Sequence, residues 1–268
     1  MPRSVALALS LLLSLVLVAG CGLLPEKYDE TKGWSAQKLY SEARSELADG
    51  NFEKAIKLYE TLESRYPYGR YAQQSQLDVA YAYYKDRQSA SAVAACDRFI
   101  KLHPNHVAVD YAYYLKGLAN FNEDLGMLGN LSGQDMTERD PKALRESYDA
   151  FRDLTVRFPN SKYTPDAIAR MNYLLNALAS HEVAVARFYY KRGAYVAAAN
   201  RGQSALTRYP QAPANEEALV IMAMSYDKLG LTDLRDDAER VLVTNFPETK
   251  YKLGTNPHKQ WWQIWNTN

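Results

Sequence analysis

A chain of 268 residues has room for two ordinary domains or one elongated repeat array, and a 47% share of hydrophobic residues supplies a sizeable core. The formal net charge is +1, and Arg3, the one charged residue among positions 1–20, accounts for it. The balanced remainder argues against nucleic acid as the main partner, because that binding rests on neutralising phosphates, and against broad electrostatic adhesion to anionic lipid.

Residues 1–20 read as a signal peptide. Arg3 gives a short positive start. The apolar run from Val5 to Val18 falls short of the roughly 20 residues a membrane span takes, but it suits a secretory core. Val18-Ala19-Gly20-Cys21 then resembles the bacterial lipobox. That resemblance implies that Cys21 becomes the first residue of the mature chain. It would carry S-diacylglycerol and N-acyl groups, with no other cofactor expected, and several acyl chains are what stable anchoring requires. Gly22 stands where the inner-membrane retention signal has Asp, which implies the outer membrane. Residues 21–34 read as a lipidated tether. Cys96 stands alone far downstream and reads as a small buried apolar residue on a helix.

From residue 35 onward one pattern recurs: an aromatic or similar residue, then Pro, closing a helical stretch. It occurs at Tyr66-Pro67, His103-Pro104, Phe158-Pro159, Tyr209-Pro210 and Phe246-Pro247. Proline cannot continue a helix interior, so each marks a helix end. Twelve residues before the prolines lie Ala55, Ala92, Ser147, Ala198 and Arg235, and five before lie Leu62, Phe99, Leu154, Ala205 and Leu242. Turns break the pattern upstream at Gly50, Arg87, Gly193 and Gly230, and before them come Ala43, Ala80, Ala186 and Ala223, with Gly117 in that place in the third unit. This is the tetratricopeptide pattern of about 34 residues. Two antiparallel helices cross at a small residue, and large apolar residues fill the ridges beside it. One pair cannot bury its apolar face, so pairs stack into a solenoid. The expectation is an all-α superhelical solenoid of five helix pairs.

Two irregular spacings are interpretable. Residues 123–141, rich in Gly and polar side chains, read as a loop insertion in the third unit, either mobile or a contact for a partner. In the fourth unit the extra length predicts one long helix from about Pro165 to Arg192. The insertion divides the array into N-terminal repeats, 35–122, and C-terminal repeats, 142–250. Residues 251–268 form a tail with Trp261, Trp262 and Trp265, which either caps the open end of the solenoid or touches a partner or membrane interface.

The stretch from Tyr40 to Lys85, followed by "DRFIKLHPN", "RDPKALRESYDAF", "RFPNSKYTPDA" and "YYKRGAYVAAANR", resembles the BamD family of lipoproteins of the outer-membrane β-barrel assembly machinery. The resemblance runs from about Lys38 to Pro247 and includes the irregular third and fourth units. It implies a scaffold on the periplasmic face of the outer membrane. It also implies docking to the periplasmic domains of BamA through the C-terminal repeats, contacts with the other Bam lipoproteins, and recognition of the C-terminal signal of unfolded outer-membrane β-barrel clients by the N-terminal half.

Counting by helix period, one face of the first helices lines a concave groove. It carries Tyr40 and Arg44, then Tyr81, Tyr84 and Lys85, then Tyr111, Tyr114 and Phe121. An aromatic groove rimmed by cations suits an extended peptide with aromatic residues and a terminal carboxylate, although the same tyrosines could merely pack between repeats. For BamA docking the candidates are Arg201, Tyr190 and Arg187, since Arg pairs with carboxylates in a fixed orientation.

No phosphate-cradling loop or nucleophile elbow is present. His103 and His106 flank a helix-ending proline without a clear third ligand, so no metal is expected. The pattern points to a docking scaffold and not to an enzyme. A pilotin for a secretion or pilus pore would share the anchor and groove, and a cell-wall lytic enzyme would need a separate domain with a catalytic Glu.

Overall fold

The computed structural model describes residues 29–121 and 141–250. The lipidation candidate Cys21, most of the 123–141 insertion and the tail 251–268 lie outside these residues. The described chain is all helical, with ten helices in five antiparallel pairs. They are α1 (Ala36–Ala48) with α2 (Phe52–Arg65), α3 (Arg70–Lys85) with α4 (Ser89–Leu102), α5 (Val109–Phe121) with α6 (Pro141–Arg157), α7 (Thr164–Lys191) with α8 (Tyr195–Arg208), and α9 (Asn215–Lys228) with α10 (Thr232–Asn245). Each helix packs on the next in sequence, and first helices also touch across the repeat, α1 on α3, α3 on α5 and α7 on α9. This is the stacking a solenoid requires.

The small residues do what the crossing demands. Ala43, Ala80, Ala186 and Ala223 are fully buried. At Gly117 the phenyl ring of Phe151 lies so close that an added Cβ would meet its Cε1 at 2.4 Å. The residues twelve and five before the closing prolines are likewise fully buried, except Arg235, which is half-buried and pairs with Asp227 and Asp236.

Four pairs share one connecting turn. In the first, Gly50 has φ +82°, its N–H donates to the carbonyl of Leu47, and the N–H of Asn51 donates to that of Glu46. That hydrogen-bond pair is the Schellman closure, whose left-handed residue is ordinarily glycine. Gly193 and Gly230 repeat it, and Arg87, at φ 61°, takes the same place in the second pair. The extra length of the fourth unit is the 28-residue α7. Pro141, taken above as the last residue of the insertion, is instead the first residue of α6. Proline is tolerated there because the first N–H groups of a helix lack intrahelical partners.

The N-terminal stretch 29–34, taken above as part of a tether, is a turn held against the end of α2. Arg65 bonds Asp29 and donates to the carbonyl of Thr31 at 2.6 Å, and the Tyr66 hydroxyl donates to the Trp34 carbonyl at 2.8 Å. Cys96 is fully buried in α4, and burial pushes its thiol up to about 12. No described helix is long and apolar enough to cross a membrane.

Candidate partner-binding surfaces

The N-terminal half brings its candidate residues together in three places. Helix α1 sets Tyr40 and Arg44 one turn apart, and with Tyr71 of α3 they line an open cavity of about 520 Å³. The Tyr40 and Tyr71 rings are 5.4 Å apart, and Arg44 is exposed. The Tyr40 hydroxyl donates to Asp78 at 2.9 Å, and Gln74 donates to the other oxygen of that carboxylate at 2.9 Å. Burial raises Asp78 above the ordinary carboxylate range, against the pull of those two bonds and of Arg44. Burial, reinforced by Asp78, pushes Tyr40 up to about 12. Asp78, itself held by Gln74, thus fixes the Tyr40 side chain that lines the cavity beside the Arg44 guanidinium.

Tyr81 and Tyr84 follow on α3, with rings 6.3 Å apart and both half-buried, and Lys85 is exposed. On α5, Tyr114 stacks on Tyr163 at 4.8 Å and Tyr111 lies 5.5 Å from the same ring. The Tyr114 hydroxyl donates to Asp166 at 2.7 Å. Phe121 is only 8% exposed, against Phe151 and Tyr173, with the Arg170 guanidinium 5.0 Å from its ring centroid. The aromatic row therefore does two jobs. Tyr111, Tyr114 and Phe121 bind the third pair to α7, while Tyr40, Tyr71, Tyr81 and Tyr84 keep partly open surface on α1 and α3.

In the C-terminal half the three docking candidates have different surroundings. Tyr190 is 6% exposed and packs on Tyr195 at 5.3 Å, so it contributes to the core and not to an outer surface. Arg187 forms a two-pronged pair with Glu217, both bonds 2.7 Å, which ties α7 to α9. Arg201 donates to Glu182 at 2.9 Å, with Arg208 at 3.4 Å on the other carboxylate oxygen. The Glu182 side chain is 6% exposed and that of Arg201 45% exposed. A buried carboxylate thus orients a guanidinium that remains reachable, and a guanidinium has donors beyond the one used here.

Sequence reading missed Glu182, Tyr71 and Tyr163. Glu182 had a signal: an acid within an otherwise apolar helical stretch, facing Arg201 and Arg208, which are seven apart and so share one face of α8. Tyr71 and Tyr163 lie just inside or before helix starts, where helix period gives no facing. The Nε2 of His103 donates to the Gln76 amide oxygen at 2.7 Å and the ring packs on Phe99, while the Nδ1 of His106 accepts from the N–H of Ala108. Among the described residues no group of three His, Cys, Asp or Glu side chains is placed to hold a metal.

Residues 33–242 match the family model described as YfiO, outer membrane lipoprotein. A Neisseria meningitidis serogroup B protein named outer membrane protein assembly factor BamD is 49% identical, over 98% of this chain and 100% of its own length. The protein of the same name from Vibrio cholerae is 38% identical, over 88% of this chain and 97% of its own. Among solved structures, that of the MamA protein covers 83% of this chain and 98% of its own at 16% identity and a TM-score of 0.35, too loose a likeness to bear on function.

Proposed function

The chain belongs to the BamD family of outer membrane protein assembly factors, a non-enzymatic kind of family, and on that footing we propose that it is the lipid-anchored scaffold of a β-barrel assembly complex. Cys21 carries the acyl anchor and holds the solenoid on the periplasmic face of the outer membrane. The N-terminal pairs receive the C-terminal signal of unfolded barrel clients, and the C-terminal pairs dock BamA and meet other Bam lipoproteins. The observation that supports client binding best is the cavity walled by Tyr40, Tyr71 and Arg44. It offers ring faces for an aromatic side chain and a cation for a terminal carboxylate, and Tyr40 is held by Asp78 before any ligand arrives.

The test is binding of a peptide that ends in an aromatic residue with a free carboxylate. Arg44→Glu should weaken it by about tenfold or more, the scale of a charge-assisted hydrogen bond. The same change should matter little for the carboxamide form. Tyr81→Ala with Tyr84→Ala should weaken both forms while circular dichroism stays helical. Unchanged affinity in both variants removes the groove assignment.

A further inference from the structure

The fifth pair departs from the other four on the surface of its second helix. Eight residues before the closing proline, the first four pairs have Tyr59, Cys96, Phe151 and Gly202, all buried, and α10 has Glu239. The positions thirteen and six before the proline run the other way. In the first four pairs they are Lys54 and Thr61, Ser91 and Arg98, Glu146 and Asp153, and Ala197 and Ser204, polar or small and none of them buried. In α10 they are Leu234 and Val241, 46% and 40% exposed. Leu231, 44% exposed, falls on the same side by helix period, so the three make one apolar stripe.

The terminal helix is therefore polar where another pair would stack and apolar on the flank that inner pairs leave to water. A terminal repeat needs a polar outer face, and Glu239 answers that need. Stacking does not account for three such residues on one side of a terminal helix, and a covering element would.

We infer that the chain's own tail does so, with Trp261, Trp262 and Trp265 folded back onto Leu231, Leu234 and Val241. The length allows it: Leu234 lies about 17 Å back along α10 from its end, and the residues from Lys250 to Trp261 can span up to about 36 Å. The charge favours it. Helix α10 carries Asp233, Asp236, Asp237 and Glu239 against Arg235 and Arg240, while residues 251–268 carry Lys252 and Lys259 and no acid. The connection favours it over a separate partner, because a short tether holds the tail at an effective concentration of about millimolar.

Disulfide trapping in the full chain, kept in its membrane fraction, tests this. Leu234→Cys is paired with Trp262→Cys, and the control is Val243→Cys with Trp262→Cys. Val243 is equally exposed, at 41%, but lies on the opposite side of α10. After mild oxidation the monomer band is digested with trypsin, and the linked peptides 229–235 with 260–268, or 241–250 with 260–268, are quantified by mass spectrometry. The buried thiol of Cys96 does not compete. The 234–262 link should exceed the 243–262 link by about fivefold or more, the ratio set by a preference of about 1 kcal/mol. If Leu234→Cys does not fold by circular dichroism, Val241→Cys with Trp265→Cys takes its place. Equal links, no links, or links found only at the mass of a dimer overturn the inference, and the stripe then belongs to lipid or to another protein.

Discussion

Gly117→Ala sets two opposing effects against each other. Alanine is the better helix former, and in the interior of α5 the exchange should gain roughly 0.5–1 kcal/mol. The new Cβ would meet Phe151 at Cε1, Cδ1 and Cζ, at 2.4, 2.6 and 2.7 Å. The ring has nowhere to go. Phe151 is fully buried, with Tyr114 at 5.9 Å and Phe121 at 6.4 Å around it. The backbone is held too, since the Ser147 hydroxyl donates to the Gly117 carbonyl at 2.9 Å. Overpacking of a filled core costs about 1–3 kcal/mol, so the clash outweighs the propensity gain and the net loss is about 1–2 kcal/mol. For a chain of this length that lowers the melting temperature by about 2–4 °C per kcal/mol. Phe151→Leu alone also destabilises, but it makes room beside Gly117. In that background Gly117→Ala should be neutral or stabilising, and the double-mutant cycle should return a coupling of at least about 1 kcal/mol. A Gly117→Ala protein that melts higher than the parent, or a cycle with no coupling, refutes the reasoning.

Other expectations follow from single contacts. Arg87→Gly should raise stability by about 0.5–1 kcal/mol in thermal melts, because a left-handed non-glycine residue costs about 1–2 kcal/mol and glycine gives part of that back as unfolded-chain entropy. An unchanged or lower melting point would contradict the turn assignment. Asp78 has a raised pKa through burial, so the folded state holds its proton more tightly than the unfolded one. Its ionisation costs stability at neutral pH, and the cost is relieved as pH falls through the raised value towards the ordinary carboxylate range. Asp78→Asn should therefore compare best with the parent at pH 7 and lose that advantage on acidification. An advantage that grows at low pH would reverse the sign. Arg201→Glu should abolish co-purification of BamA, whereas Arg208→Glu, which faces the same Glu182, should leave most of it. Equal loss in both would assign the effect to the buried carboxylate and not to docking.

The fold was legible because its determinants are periodic. A small residue at each crossing, an apolar residue five before each proline and a breaker between helices recur at fixed offsets, and the steric demand at Gly117 is the same one that Ala43 and Ala80 meet. The surfaces were less legible, because helix period gives a facing and not a neighbour. Tyr190 fits the period of a groove residue, yet Tyr195 from the next helix closes over it. Tyr114 and Phe121 likewise face α7, whose first three turns set Asp166 and Tyr173 against them. Arg201 was visible as a cation, but its orientation depends on Glu182, an acid that looks out of place in α7 until α8 is packed beside it. The Leu231, Leu234 and Val241 stripe could be read only after the pairs were aligned and the exposure of each equivalent position compared.

The claim that the solenoid serves barrel assembly is tested most directly by affinity purification of the full chain from detergent-solubilised membranes, with the bound proteins identified by mass spectrometry. BamA should be recovered in comparable amount to the chain itself, together with other Bam lipoproteins. Recovery of a secretin ring in its place, or of the chain alone, would contradict the account.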